Sequence, residues 1–291
     1  MVPFLDRIGP WAAGRYRAAI LDLWGVVHDG EKPTPHALDA LTQMRASGVR
    51  TVLLSNAPRT VESVKKQIAG FGIPPGSYDD VVSSGGLTRE ALAARADPWH
   101  AKLGRRFYHL GPERDWGLLD GLDYELAPTP ERAHFILNTG LFDDETETAA
   151  DYTELLQLGL RKHLPMICAN PDRWVYRGTK RLPCAGEVAR AYVEMGGDVR
   201  YHGKPYPSAY AACMARAGGV TCAQVLAVGD SLTTDIAGAN AAGIDSVLIL
   251  SGLHADEFGG FAKLAWNSSA MAALGQRHNA RPSAAMLHFA W

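Results

Sequence analysis

Short apolar runs that close on a polar residue recur along this 291-residue chain. AAILD ends at Asp22, TVLLS at Ser55 and VLAVGD at Asp230, while SVLIL ends at Leu250 and leads into Ser251 and Gly252. Runs this short, rich in Val, Ile and Leu and without polar alternation, suit strands buried on both faces, as in a parallel sheet covered by helices. Helical patterns separate them. After Ser55 comes APRTVESVKKQIAGFG, with Thr60 as N-cap, Val61, Val64 and Ile68 on one face, and Gly70 or Gly72 as the stop. Before Val225 lies YPSAYAACMARAGG, with Pro205 and Pro207 near its start and Gly218-Gly219 at its end. Strand alternating with helix predicts an open α/β sheet with right-handed crossovers.

The length is about twice that of a typical domain, which leaves room for a second unit. From Asp97 to Gly197 the pattern changes: RRFYHLG, AHFILNTG and LPMICAN read as strands, with ADYTELLQLGLRKH as a helix between the last two. The expected organisation is a Rossmann-like core from residues 1–97 and 198–291, interrupted by an α/β cap over residues 98–197. A hydrophobic content of 47% with 21% charged residues is that of a folded protein. The 29 basic and 31 acidic residues leave a formal charge of −2, with no basic footprint for nucleic acid and no polybasic membrane patch. No apolar run approaches the ~20 residues of a membrane span, and Asp6 and Arg7 interrupt what a signal peptide would need. Cys168, Cys184, Cys213 and Cys222 form no C-x-x-C pair, so reduced thiols and a cytoplasmic location are expected. The ten histidines form no H-x-H or H-E-x-x-H pattern, which argues against a zinc site.

In open α/β sheets, ligands bind beyond the carboxyl ends of the strands. Asp22, Ser55 and Asp230 belong there. Lys204, in YHGKP, arrives just before the helix that precedes the Asp230 strand, and Asp235 follows in GDSLTTD. Singly, each of these is an ordinary turn or capping residue. Together, carboxylates, a lysine and a hydroxyl at one sheet edge suit Mg²⁺ and phosphate. Mg²⁺ takes one or two carboxylates plus phosphate oxygens. A carboxylate can attack phosphorus, and a lysine can neutralise the charge on the equatorial oxygens.

In order and spacing, DLWGV at Asp22, LLSNAPR at Ser55, GKP at Lys204 and VGDSLTTDI at Asp230 resemble the four motifs of the haloacid dehalogenase superfamily. The insert between the second and third motifs resembles the cap of its class IIA members, with CANPDRWVYRG and LPCAGEVARAY similar to that subclass's cap signature. The resemblance implies Mg²⁺-dependent hydrolysis of a small phosphomonoester metabolite, and pairing of two copies through their caps. It implies Asp22 as nucleophile and metal ligand, and Ser55 and Asn56 as contacts to the phosphoryl group. Lys204 would bridge that group to Asp22, Asp230 would be the second metal ligand, and Asp235 would bind or orient the metal shell. Asn170, Pro171 and Asp172 would face the core from the cap, where substrate is chosen. Cys184 falls where the cap signature has glycine.

One residue departs from the pattern. Phosphatases of the family carry a general acid two residues after the nucleophile, and here that position is Trp24. A tryptophan still offers the main-chain carbonyl that the family uses as a metal ligand, but an indole cannot supply a proton near neutrality. Loss of a positioned acid costs ~10²–10⁴ in rate. A phosphatase would therefore work with a replacement acid, for which His28, Asp29 or the cap's Asp172 are the candidates, or on leaving groups that need none. The alternatives are a protein that binds a phosphorylated metabolite and turns it over slowly or not at all, or chemistry at carbon. The acidic residues kept in GDSLTTDI disfavour the last.

Overall fold

A computed structural model describes residues 2–12 and 14–291. Its strands are β1 (Ala18–Asp22), β2 (Arg50–Ser55), β3 (Asp80–Ser83), β4 (Arg106–Leu110), β5 (Glu125–Leu126), β6 (Phe135–Asn138) and β7 (Met166–Cys168). Then follow β8 (Trp174–Arg177), β9 (Lys180–Pro183), β10 (Val199–Tyr201), β11 (Val225–Gly229), β12 (Asp245–Ile249) and β13 (Ala284–Met286). Six of them form one parallel sheet in the order β13-β12-β11-β1-β2-β3.

The apolar runs behave as their composition predicts. Every residue of β1 and β11 is buried. One face packs Leu21, Leu53, Val228 and Ile249 against Leu41, Met44, Val64 and Ile68. The other packs Ile20, Leu54 and Ala227 against Tyr210 and Cys213. Each fully buried aliphatic side chain contributes about 1.5–3 kcal/mol relative to exposure. Thr60 caps the helix Val61–Gly70, its side chain accepting from the Ser63 amide at 3.2 Å. Pro207 stands in the first turn of the helix Pro207–Arg216, where its missing N–H costs nothing.

Strand register fixes the site. Asp22 is level with Leu54 of β2, and Leu21 is level with Val228 of β11. The carboxyl ends of the three central strands therefore bring Asp22, Ser55 and Asp230 to one edge.

The middle of the chain builds a second parallel sheet, β10-β7-β6-β4-β5, around the expected strands. The expected helix there is a short 3₁₀ turn, Ala149–Tyr152, followed by the helix Thr153–Arg161. A separate antiparallel hairpin, β8-β9, pairs with neither sheet. This hairpin, and the strands β3, β5, β10 and β13, have no counterpart in the sequence reading. β5 and β10 are two and three residues long, too short to show a period, and β8 is half-buried along its whole length. Among the described residues no helix is long and apolar enough to cross a membrane.

Candidate active site

Lys204 is the most deeply placed charge at the sheet edge. Its side chain is 2% exposed, and its ammonium donates to Asp22 Oδ1 at 2.5 Å and to Asp235 Oδ1 at 2.8 Å. Burial alone would lower the lysine's pKa, but Asp22, Asp235 and Asp172 outweigh it and hold the ammonium well above its ordinary value. Asp22 Oδ1 also accepts from the Leu23 amide at 2.7 Å. Burial, followed by repulsion from Asp235, raises the Asp22 pKa well above that of a free carboxylate despite Lys204. The same two causes push Asp230 from 3.8 to about 7.

The loops around Asp230 are closed tightly. Its Oδ2 accepts from the Leu253 amide at 2.8 Å. A Cβ on Gly25, where φ is +84°, or on Gly252 would fall 2.2 or 2.1 Å from that same oxygen, so both loops need glycine. Asp235 lies on the turn Leu232–Ile236, and its Oδ2 accepts from the Ser231 amide at 3.2 Å.

Carboxylate oxygens of Asp22, Asp230 and Asp235 all lie within 4.8 Å of one another. With Asp172 nearby, four buried or half-buried carboxylates face one ammonium. Such an excess of buried negative charge is what a hard divalent cation offsets, and an all-oxygen donor set suits Mg²⁺. The residues present fit that group.

Asn56 ties core, lysine and cap together. Its Nδ2 donates to Asp172 Oδ1 at 2.8 Å and to the Lys204 carbonyl at 3.2 Å, and its Oδ1 accepts from the Lys204 amide at 2.7 Å. The side chain is thus fully engaged in positioning its neighbours. Ser55 is buried, and its Oγ accepts from the Ala57 amide at 3.1 Å. On the cap side, Asn170 Oδ1 accepts from the Asp172 amide at 3.1 Å, turning the N-P-D segment toward the core. Burial raises the Asp172 pKa, against the pull of Lys204 and Asn56. A cavity of about 320 Å³ lies between Asp22, Ser55 and Asn56 on the core side and Asn170, Asp172, Val175 and Cys184 on the cap side. A smaller one, of about 60 Å³, opens beside Asp22, Asp230 and Asp172.

The three acid candidates differ. Burial lowers His28 to about 4, and its Nδ1 accepts from the Gly30 amide at 3.0 Å, so the ring is neutral. Asp29 Oδ1 accepts from the amides of Glu31 and Lys32 at 3.0 and 2.9 Å, which makes it a turn residue. Asp172 lines both cavities, and its Oδ1 is held by Asn56. Trp24 also lines both cavities, and its indole N–H donates to the Tyr176 carbonyl on the hairpin.

Sequence reasoning passed over Arg59 and the cap arginines. Arg59 Nε donates to the buried Asp115 of the cap at 3.0 Å, while Arg114 and Arg177 converge on Asp144 at 2.8 and 3.3 Å. Arg59 sits inside the LLSNAPR segment and could have been singled out there. The other two carry no local signal.

This arrangement has counterparts. A family model described as haloacid dehalogenase-like hydrolase matches residues 19–125, and a second, HAD-hydrolase-like model matches residues 201–262. A crystal structure of a hydrolase of the haloacid dehalogenase-like family from Brucella suis 1330 is 37% identical, covers 99% of this chain and 100% of that one, and superposes with a TM-score of 0.83. The chain belongs to the haloacid dehalogenase-like hydrolases. Within that family it is similar to D-glycerol 3-phosphate phosphatase of Mycobacterium tuberculosis, at 30% identity over 249 residues. That match covers 83% of this chain and 65% of the relative, so the chain spans about two thirds of that protein's length. A glycerol phosphate phosphatase structure from Mycobacterium tuberculosis in complex with magnesium is 28% identical, covers 82% of this chain and 69% of that one, and has a TM-score of 0.62. These neighbours place the hydrolase in the capped class IIA branch, as its motifs resembled.

Proposed function

We propose that this haloacid dehalogenase-like hydrolase is a divalent-metal-dependent phosphatase of a small phosphomonoester, with Asp22 as nucleophile. The observation that carries the reading is the Asp22–Lys204–Asp235 triad at the sheet edge, opening into a cavity roofed by the middle of the chain. Residues 98–197 act on this reading as the cap over a core from 1–97 and 198–291.

Asp22 Oδ1 is occupied by Lys204 and the Leu23 amide, which leaves Oδ2 to attack phosphorus. A bond forms from Oδ2 to phosphorus, the ester P–O bond breaks, and the leaving alkoxide takes a proton. Water then attacks the phosphorus of the aspartyl-phosphate, releasing inorganic phosphate and restoring the carboxylate. Lys204 keeps Asp22 oriented and offsets the charge that spreads over the phosphoryl oxygens. Mg²⁺ would be held by Asp22, Asp230, Asp235 and the Trp24 main-chain carbonyl, and would supply further charge neutralisation. Ser55 and the main chain beside Asn56 face the phosphoryl position.

The proton comes from Asp172. Burial raises its pKa and so favours the protonated carboxyl, and it faces the cavity that Asp22 lines. Neutral His28 and turn-bound Asp29 serve the loop. The cavity volume favours a small polyol or sugar phosphate over a phosphoprotein, in keeping with the glycerol phosphate named for the Mycobacterium tuberculosis relative.

A panel of small phosphomonoesters, assayed with and without Mg²⁺ on the parent and on Asp22→Asn, tests the reading. Mg²⁺-dependent phosphate release that falls by ~10³-fold or more in the variant is expected. Binding of the esters without release by the parent would favour a metabolite-binding protein instead.

A further inference from the structure

We propose that Trp24, standing where the resemblance expects the acid, is the latch that holds the β8-β9 hairpin closed over the active site. The hairpin is an isolated two-stranded unit, and such a unit is marginal without outside support. It buries one aliphatic side chain, Leu182, and is otherwise tied to the cap by ion pairs: Arg177 pairs with Asp144 at 3.3 Å and Glu145 at 3.1 Å, and Lys180 pairs with Glu145 at 3.5 Å. The two pairs to Glu145 are exposed and individually weak.

Its core-side support is concentrated at Tyr176. The Tyr176 carbonyl accepts from the Trp24 indole, its hydroxyl donates to Asp256 Oδ2 at 2.7 Å, and its ring meets Phe261 edge-on at 5.1 Å. Trp24 lies on the loop beyond β1 and Asp256 on the 3₁₀ turn Ala255–Phe258 beyond β12, so the hairpin is pinned across the sheet edge from two sides.

The indole is itself held in place. Gly30, at φ +94°, lies so close beneath it that a Cβ there would sit 2.4 Å from Cζ2. The His28 ring packs edge-on at 5.4 Å, and the loop closes through the Gly25 amide to the His28 carbonyl at 2.8 Å. A rigid ring with one directed N–H is what a latch requires, and aspartate at this position is too short to reach the hairpin main chain. Trp24 and Val175 also line both cavities, each of which reaches Asp22 and Asp172. Opening the hairpin therefore exposes the carboxylates. The residue's cost to proton transfer is matched by control of access and of water at the site.

The consequence for turnover rests on the phosphatase reading, whereas the consequence for the hairpin does not. The test is hydrogen exchange of residues 174–183 and trypsin cleavage after Arg177, Lys180 and Arg181, without substrate, in the parent, Trp24→Phe and Tyr176→Phe. Trp24→Phe keeps an aromatic ring and loses the N–H; Tyr176→Phe keeps the ring and the carbonyl and loses the bond to Asp256. Exchange and cleavage in the hairpin should rise about fivefold in each, the yield of one hydrogen bond, while the helix Ser268–His278 exchanges as in the parent. With a phosphomonoester that the parent hydrolyses, KM of Trp24→Phe should rise by a larger factor than kcat falls. Hairpin protection equal to that of the parent in Trp24→Phe would overturn the latch. Should Trp24→Phe not fold, the same comparison made with Trp24→Leu decides it. A parent that turns over no ester, with hairpin protection still lost in the variants, would refute the phosphatase reading and leave the latch standing.

Discussion

The two walls of the cavity are built by different means. On the core side, parallel register delivers Asp22 and Asp230 to one edge, where Lys204 and a backbone amide each bond Asp22 and Asp235, and the Leu253 amide bonds Asp230. On the hairpin side, one buried leucine, one indole N–H, one tyrosine hydroxyl and exposed ion pairs hold an isolated two-stranded unit. A wall with redundant support keeps reacting groups in place, and a wall with sparse support can move. Chemistry therefore belongs to the first wall, and access to the second, with Asp172 and Trp24 as the residues that cross between them.

Asp172→Asn tests the crossing most severely. It keeps an oxygen for the Asn56 bond and removes the proton, so turnover should fall by ~10²-fold or more, the cost of losing a positioned acid. The acid form is the active one, and its pKa is raised. The parent's kcat should therefore decline as pH rises through that value, and the variant should lose this alkaline limb. A variant with the parent's rate and alkaline limb would return the search for the acid to other groups.

Trp24→Asp restores the residue type that the resemblance expects, yet it should not restore function. It adds a fifth carboxylate to a site where four already repel one another and releases the hairpin. Turnover should fall roughly tenfold, from about 1–2 kcal/mol of lost hydrogen bonding and added repulsion. A rise measured in the same phosphate-release assay would mean that the missing acid limits the rate and that the latch is secondary.

Asp230→Asn gives the smallest change in metal-free stability and bears on the core wall alone. The folded-state pKa of Asp230, about 7 against 3.8, means that the metal-free folded protein binds more protons than the unfolded chain between those values. Its charge therefore opposes folding, and the stability that this group affects falls as pH rises from about 4 to 7. In metal-free protein at pH 7 the asparagine variant should melt higher by roughly 2–4 °C. It should also lose the rise in Tm that Mg²⁺ gives the parent, since binding to the folded state alone stabilises it. A parent whose Tm ignores both Mg²⁺ and chelator would contradict the metal assignment.

Much of the core wall was legible in the sequence, because a strand buried on both faces must be apolar and its polar terminal residue then stands out. Asp22, Ser55 and Asp230 announce themselves this way, and Thr60 and Pro207 mark their helices by local capping chemistry. The hairpin wall was not legible. Tyr176 binds Trp24 through a carbonyl, a group every residue carries, and meets Asp256 across 80 residues of chain. Asn56 reads as a phosphate contact in its motif, but its side chain is engaged by Lys204 and Asp172, 148 and 116 residues away. Arg114 and Arg177 meet at Asp144 only after the cap sheet has formed. Local sequence carries periodicity and caps; it does not carry which loop will lie over which.

The central claim is that Asp22 takes the phosphoryl group from the substrate. Acid quenching of the protein during Mg²⁺-supported turnover, followed by peptide mass analysis, tests it most directly. The peptide that carries Asp22 should gain one phosphoryl group in the parent and none in Asp22→Asn, which should also release no phosphate. Sustained phosphate release by Asp22→Asn, or a phosphoryl group found on another residue, would contradict the account.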